Sequence, residues 1–235
     1  MSEFKIGIDY GGTKIEGILI DSNGKEILRK RSTYEKNYES GLNTVKSLVS
    51  EFDKFTDQQN SVGVCIPGFS SYETGLVNNA NCIWINDKPF HKDLEKSLNR
   101  EIRIMNDANC FALSEAIDGS GANYKSVWGV IIGSGFGGSF VYEKKVIEGV
   151  NQIAGDWGHQ PLPYPTEEEI NSNVQCNVGN CKRPLCAEQF ISGIGFTKLF
   201  NEKYGTSLRT REIVALEANG DERAKKEFEL YEDRF

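Results

Sequence analysis

The chain has 235 residues, of which 38% are hydrophobic and 26% charged, and its formal net charge is −7. This length and composition suit one large or two modest globular domains with an ordinary core. No block of Lys and Arg offsets the negative charge, which disfavours binding to nucleic acid or to an anionic membrane. There is no apolar stretch of the roughly 20 residues that cross a bilayer, and no signal-peptide pattern opens the chain. We therefore expect a cytoplasmic protein without nucleic-acid or membrane partners.

The first half of the sequence predicts an α/β unit. Apolar residues at three- and four-residue steps between Leu42 and Phe55 predict one helix. A second helix is expected from Ala108 to about Ile117, with a Gly-rich stop after it. Short apolar or alternating runs predict strands at 4–9, 15–19, 25–31, 62–66 and 102–105.

The pattern of strand, glycine turn and strand then begins again between residues 127 and 142. This repetition predicts two related lobes, residues 1–119 and 120–235. Residues 160–185 are polar and rich in Pro and Asn, so we expect a loop there. Helices are predicted within 190–235, including Arg211–Ala218 and Asp221 to the end. Because the last helix shows no stop signal and the second lobe has few strands, we expect that lobe to be incomplete.

Two glycine turns carry the first functional signal. They are Asp9-Tyr10-Gly11-Gly12-Thr13-Lys14 and Gly133-Ser134-Gly135-Phe136-Gly137-Gly138, and each follows an apolar run. Glycine has no Cβ, so such a turn can present backbone N–H groups to an anion. A tight hairpin would show the same residues, but the repetition favours two phosphate-binding turns. Asp9 is suited to hold a hydrated Mg²⁺, or it stabilises the turn.

The pair Asn106-Asp107 ends a predicted strand and precedes a predicted helix. A carboxylate at Asp107 could accept a proton from a substrate hydroxyl that attacks phosphorus. It could equally be the N-cap of the helix that starts at Ala108. The sequence pattern leaves both interpretations open.

Three of the six cysteines form a tight cluster with the spacing C-x4-C-x4-C, namely Cys176, Cys181 and Cys186. A tight, odd-numbered cluster in a reducing compartment indicates a metal site rather than disulfides. His159 completes a His-Cys₃ set that suits tetrahedral Zn²⁺, and a closed set of four predicts a structural metal. The remaining cysteines, Cys65, Cys82 and Cys110, are interpreted as small core residues.

Five segments together resemble the ROK family of sugar kinases, whose members have the two-lobed actin/hexokinase-like (ribonuclease H-like) α/β fold. They are DYGGTK (9–14), NDANCFALSEA (106–116), IGSGFGGS (132–139), AGDWGHQPLP (154–163) and CAEQFISGIGF (186–196). Within that family, residues 77–95 and the sequence WGHQPLPY look most similar to bacterial fructokinases.

The resemblance implies a role for each matching residue. Asp107 matches the catalytic base, and Asp156 stands where the family usually has Glu. The residues implied to bind sugar are Asn81, Asn106, Asp107, Asp156, His159 and Glu188. Those implied to bind ATP are Asp9, Gly11, Gly12, Thr13, Lys14, Gly133, Ser134, Gly135 and Gly137. The implied zinc ligands are His159, Cys176, Cys181 and Cys186.

The implied activity is ATP-dependent phosphorylation of a hexose, with fructose phosphorylated at its 6-hydroxyl as the first expectation. ATP, Mg²⁺ and structural Zn²⁺ are the implied cofactors, and a homodimer is expected because family members are often dimers. Two alternatives stand beside it: specificity for N-acetylglucosamine or glucose, and a truncated sugar-binding relative with weak or no activity. A sugar-responsive repressor is disfavoured, since no helix-turn-helix precedes the first strand.

Overall fold

The computed structural model describes residues 3–155, 157–172, 174–176 and 181–234. The chain divides into two compact units, Met1–Phe111 and Ala112–Phe235. This division falls inside a helix, and the lobe boundary expected near residue 119 stays a prediction. Within the described ranges, no helix is both long and apolar enough to span a membrane.

The first unit is built on a five-stranded mixed sheet with the strand order β3-β2-β1-β4-β7. Strands β1, β2 and β3 form antiparallel hairpins, whereas β1, β4 and β7 run parallel to one another. A two-stranded ribbon of β5 and β6 lies beyond β4 in the chain. The strands are β1 (Lys5–Tyr10), β2 (Lys14–Ile20), β3 (Glu26–Thr33), β4 (Ser61–Ile66), β5 (Phe69–Ser70), β6 (Val77–Asn78) and β7 (Arg103–Asn106).

Helices of the first unit cover the sheet with apolar faces. They are α1 (Tyr38–Thr56), α2 (Phe90–Leu98) and the start of α3 (Asp107–Ile117). Asn37 caps α1 by accepting a hydrogen bond from the Ser40 amide. Helices α1 and α3 were predicted from the sequence, but α2 was not, because its buried residues Phe90, Leu94 and Leu98 recur at four-residue steps over only nine residues.

The second unit contains a three-stranded antiparallel sheet in the order β10-β9-β8 and a set of helices. Its strands are β8 (Ser126–Ile132), β9 (Phe136–Tyr142) and β10 (Lys145–Val146). Its helices are α4 (Glu167–Asn171), α5 (Glu188–Ile191), α6 (Gly193–Tyr204), α7 (Thr210–Ala218) and α8 (Glu222–Asp233). Phe136, Leu162 and Phe190 form one buried cluster, while Phe196 and Phe200 belong to another.

The expectation of a loop throughout 160–185 is wrong at α4. Thr166 and Glu169 form a reciprocal capping box that starts this short helix. The Glu169 carboxylate is buried and pairs with Arg234, which follows α8. The capping pattern of Thr166 and Glu169 is visible in the sequence. The ion pair between Glu169 and Arg234 is not, because the two residues are 65 positions apart.

Gly41 of α1 marks a close approach between the helix and the sheet. A Cβ at this position would overlap the hydroxyl of Tyr10, a side chain with no exposed surface. We expect Gly41→Ala to lower the free energy of unfolding by roughly 1–3 kcal/mol, because overpacking outweighs the gain in helix propensity. Chemical denaturation measures this change.

Gly63→Ala in β4 is the matched control, because no described atom lies within 4 Å of a Cβ added there. It should leave the free energy of unfolding unchanged or slightly higher. A Gly41→Ala variant as stable as the Gly63→Ala variant would contradict the packing argument.

Candidate functional site

The carboxyl ends of β1, β4 and β7 meet at one edge of the first unit's sheet, because the three strands are parallel neighbours. Asp9 pairs in register with Cys65, and Ile66 pairs with Asn106. In open α/β sheets, ligands bind outside this edge. Asp9, Asn106 and Asp107, which are candidate site residues from separate parts of the sequence, therefore lie at the same edge.

The first glycine turn connects β1 to β2 at this edge. The Gly11 amide donates to the Lys14 carbonyl at 3.1 Å, as in a hairpin, and Thr13 and Lys14 are exposed. A Cβ at Gly12 would lie 3.4 Å from Cys82 Sγ and 3.9 Å from Asn81 Oδ1. The turn thus lies against the segment that carries Asn81, which brings together a candidate phosphate-binding and a candidate sugar-binding element.

Asn106, rather than Asp107, caps α3. Its Oδ1 accepts a hydrogen bond from the Asn109 amide at 3.1 Å, and its Nδ2 donates to the Gly68 carbonyl at 2.9 Å. Asp107 is the first residue of the helix, and its Oδ1 accepts from the Ala108 amide at 2.8 Å. Asn106 therefore has the N-cap role that the sequence left open for Asp107.

The pKa of Asp107 is raised above its ordinary value. Desolvation by the surrounding protein atoms is the largest cause, and the negative charge of Asp9 acts in the same direction. Hydrogen bonds from the Ala108 and Asp107 amides and from Asn106 oppose the rise. Asp107 keeps contact with solvent, and screening limits the shift. A carboxylate with a raised pKa binds a proton more readily, which suits a general base.

Cys65 and Cys110, interpreted from sequence as core residues, lie beside this edge and are only partly buried. Cys65 Sγ donates to Asp9 Oδ1 at 3.5 Å. A hydrogen bond with Cys110, burial and the charge of Asp9 all raise the pKa of Cys65, so the group is a neutral donor. No sequence pattern indicates this contact, because it depends on the register of β1 with β4.

In the second unit, the second glycine turn joins β8 to β9. The Gly133 amide donates to the Gly135 carbonyl at 2.9 Å, and the Gly133 carbonyl accepts from Gly193 at 2.8 Å. Ser134 is exposed, and Gly137 lies in β9. This turn is anchored to the start of α6.

Glu188 lies buried directly beneath that turn. Its Oε2 accepts from the Phe136 amide at 2.7 Å, and a Cβ at Gly135 would lie 3.0 Å from its Oε1. The only other candidate sugar-binding residues of this unit are His159, considered next, and Asp156, which lies outside the described residues. The structure therefore places one candidate sugar-binding residue against the second candidate phosphate turn.

The four candidate metal ligands form one cluster in the second unit. The donor atoms of His159, Cys176, Cys181 and Cys186 all lie within 4.8 Å of one another. His159 Nδ1 is 3.4 Å from Cys186 Sγ and 3.7 Å from Cys176 Sγ. Zn–S bonds of about 2.3 Å and Zn–N bonds of about 2.0–2.1 Å at tetrahedral angles require N···S separations of about 3.6 Å. These two N···S separations are close to that value, and the four residues could hold a metal ion.

Local backbone pairing brings these ligands together. Pro161 forms an isolated antiparallel bridge with Cys186, and Gln175 forms another with Pro184. Gln189 Nε2 donates to Cys176 Sγ at 3.8 Å, and Cys186 Sγ lies 3.6 Å from the Gly158 carbonyl. The Gln189 amide is a donor that could also serve a metal-bound thiolate at Cys176.

Comparison with known proteins shows extensive similarity. A family model described as "ROK family" matches residues 5–234. An N-acetyl-D-glucosamine kinase of Pasteurella multocida (strain Pm70) is 38% identical over 232 residues, which are 97% of this chain and 75% of that protein. One of Citrobacter koseri is 39% identical over 228 residues, with the same coverage of 97% and 75%.

Solved structures confirm the predicted actin/hexokinase-like α/β fold class. A ROK hexokinase from Thermus thermophilus matches with a TM-score of 0.81 at 22% identity, over 95% of this chain and 72% of that one. A ROK family glucokinase from Streptomyces griseus, in complex with glucose and AMPPNP, matches with a TM-score of 0.73 at 21% identity, over 97% and 75%.

The raised pKa of Asp107 has a consequence for stability. For a carboxyl group whose pKa is higher in the folded than in the unfolded state, ionisation destabilises the fold at pH values above both pKa values. Asn keeps the acceptor for the Ala108 amide without the charge. We therefore expect Asp107→Asn to melt at a higher temperature than the unsubstituted chain at pH 7, with a difference that shrinks as the pH falls toward 4.

Asp118→Asn serves as the control, since Asp118 is exposed at the end of α3. Its melting temperature at pH 7 should stay close to that of the unsubstituted chain, because substitution of an exposed side chain has little effect on stability. A lower melting temperature for Asp107→Asn at pH 7 would contradict the assigned direction of the pKa shift.

Proposed function

Because the chain belongs to the ROK family, we propose that it transfers the terminal phosphoryl group of ATP to a hexose. The observation that carries this proposal is the position of Asp107 at the sheet edge, with Asp9 and the Gly11-Gly12 turn at that edge of the same unit. The N-acetyl-D-glucosamine kinases at 38% and 39% identity support N-acetylglucosamine as the first substrate to test. Fructose, expected from the sequence motifs, is the second.

Asp107 acts as the general base in this proposal. As the sugar oxygen forms its bond to the terminal phosphorus, the bond from that phosphorus to the oxygen of ADP breaks, and the hydroxyl proton passes to the Asp107 carboxylate. Because the capping bond is made by Asn106, Asp107 is not needed as the N-cap. The raised pKa supports its role as a proton acceptor.

Asn106 can contact the sugar while it caps the helix. An amide side chain offers two N–H donors and two acceptor lone pairs. The donors serve the Gly68 carbonyl and Asp107, and the Asn109 amide takes one lone pair, so the second lone pair can accept from a sugar hydroxyl. Asn81, beside the first turn, supplies a second amide. We assign further sugar contacts to Glu188 and His159 of the second unit and to Asp156.

Phosphate binding is assigned to the glycine turn of each unit. The Gly11, Gly133 and Phe136 amides already donate to protein acceptors. The backbone N–H groups of Gly12 and Thr13 in the first turn, and of Ser134 and Gly135 in the second, would hold the phosphate oxygens, because glycine allows close approach of the backbone. Exposed Asp9 is the candidate holder of a hydrated Mg²⁺. When bound, Mg²⁺ offsets the charge of the phosphates.

We assign structural zinc to the cluster of His159 and the three cysteines. Four protein ligands leave no position for a water molecule, which is the pattern of a structural site. Glu188 follows Cys186 by two residues, so a metal at this cluster would fix the segment that carries it. Cytoplasmic location and homodimer formation stay predictions.

Asp107→Asn tests the general base. We expect kcat to fall by a factor of about 10²–10⁴, the usual contribution of a positioned base, while sugar affinity stays within a few-fold. Steady-state kinetics with N-acetylglucosamine, fructose, glucose and mannose, together with calorimetric sugar binding, measure both quantities.

The exposed carboxylate of Asp118 again provides the control, and Asp118→Asn should leave kcat unchanged. If Asp107→Asn turns over within twofold of the unsubstituted chain, Asp107 is not the base. Sugar binding without phosphoryl transfer to any of the four sugars would instead favour the sugar-binding alternative.

Cys186→Ser tests the metal assignment. The unsubstituted chain should carry about one zinc ion, and the variant should lose it together with about 10–100-fold in sugar affinity, since the ligand segment is no longer held. Elemental mass spectrometry and calorimetry measure these effects. Cys110→Ser, outside the cluster, should retain the zinc; a chain purified without zinc that binds sugar tightly would refute the assignment.

A further inference from the structure

Tyr34, which follows β3, makes a hydrogen bond to the first glycine turn that no sequence motif indicated. Its hydroxyl donates to the Gly11 carbonyl at 2.8 Å. The side chain is partly buried, and burial is the main cause of its raised pKa. The group is therefore a permanent donor at physiological pH.

Aromatic side chains hold the Tyr34 ring in place. The ring centroid of Tyr34 is 5.5 Å from that of Tyr10 and 6.0 Å from that of Trp84. Trp84 Nε1 donates to Tyr10 Oη at 3.2 Å. Tyr10 is fully buried, with its hydroxyl against the backbone of α1 at Gly41. These contacts restrict the position from which Tyr34 reaches the turn.

A hydrogen bond to the Gly11 carbonyl orients the next N–H group of the turn. The carbonyl of Gly11 and the amide of Gly12 belong to one planar trans peptide, so the two point in opposite directions. If Tyr34 holds the carbonyl on its own side, the Gly12 N–H points away from Tyr34. A pair of glycines would otherwise sample many backbone conformations.

We propose that Tyr34 is a positioning residue that fixes the Gly11–Gly12 peptide so that the Gly12 N–H faces the nucleotide phosphates. This rests on the proposed function only in taking a nucleotide as the ligand of the turn. The assigned action of Tyr34 is through the Gly11 carbonyl, to which its hydroxyl donates.

Tyr34→Phe tests the proposal, since it removes the hydroxyl and keeps the ring. Without this hydrogen bond the turn has to be ordered when the nucleotide binds, which should weaken binding about five- to tenfold. The measured quantity is the calorimetric dissociation constant of the Mg²⁺ complex of a non-hydrolysable ATP analogue, beside that of the sugar. The sugar dissociation constant should stay within twofold.

Tyr38→Phe is the matched control. Tyr38 is also partly buried in the first unit, but its hydroxyl donates to Asp93 Oδ2 at 2.7 Å, far along the chain from the turn. Thermal melts of both variants show whether they remain folded to the same degree. Tyr38→Phe should bind the ATP analogue like the unsubstituted chain.

Equal affinities of the two variants for the analogue would overturn the proposal, as would a Tyr34→Phe variant that loses sugar and analogue affinity by the same factor. Weakened analogue binding by Tyr34→Phe alone supports it. Because the readout is binding, this result stands apart from kinase turnover: a chain that binds the analogue but phosphorylates no sugar refutes the proposed function and leaves the Tyr34 comparison intact. A chain that does not bind the analogue refutes both.

Discussion

Two hydrogen bonds of the Asn106 amide determine the geometry of the first unit's candidate site. One joins the end of β7 to the loop after β4 through the Gly68 carbonyl, and the other caps α3 through the Asn109 amide. Only a side chain with both a donor and an acceptor can make this pair, which an ionised Asp cannot. Because Asn106 is the cap, Asp107 is placed at the first helical position with its carboxylate at the sheet edge.

The sequence predicted most elements of this edge because they are local. The apolar runs of β1, β4 and β7 and the Gly-Gly turn are all visible without tertiary information. The sequence alone does not show whether Asp107 is a general base or the N-cap of α3, since either residue of an Asn-Asp pair can cap a helix. That choice depends on Gly68, which lies 38 residues away in the chain.

The contacts that the sequence did not reveal are those made across strands and between aromatic side chains. Cys65 reaches Asp9 only because β1 and β4 pair in a particular register. Tyr34 reaches Gly11 across 23 residues, and Trp84 reaches Tyr10 across 74. Contacts between residues so far apart produce no periodic sequence pattern from which they could be predicted. The grouping of His159 with three cysteines was predicted because the cysteines lie within eleven residues of one another and share a distinctive chemistry.

Residues of one type perform different tasks in this chain according to what surrounds them. Cys65 and Cys110 share a hydrogen bond beside an aspartate, whereas Cys176 and Cys186 converge on a histidine at distances that suit a metal. Tyr34 and Tyr38 are both partly buried, yet Tyr34 donates to a backbone carbonyl of a turn and Tyr38 donates to a carboxylate. Environment therefore assigns the role: the charge of Asp9 favours the neutral thiol of Cys65, which can donate a hydrogen bond, and a hydroxyl can hold a turn only where the fold brings a carbonyl to it.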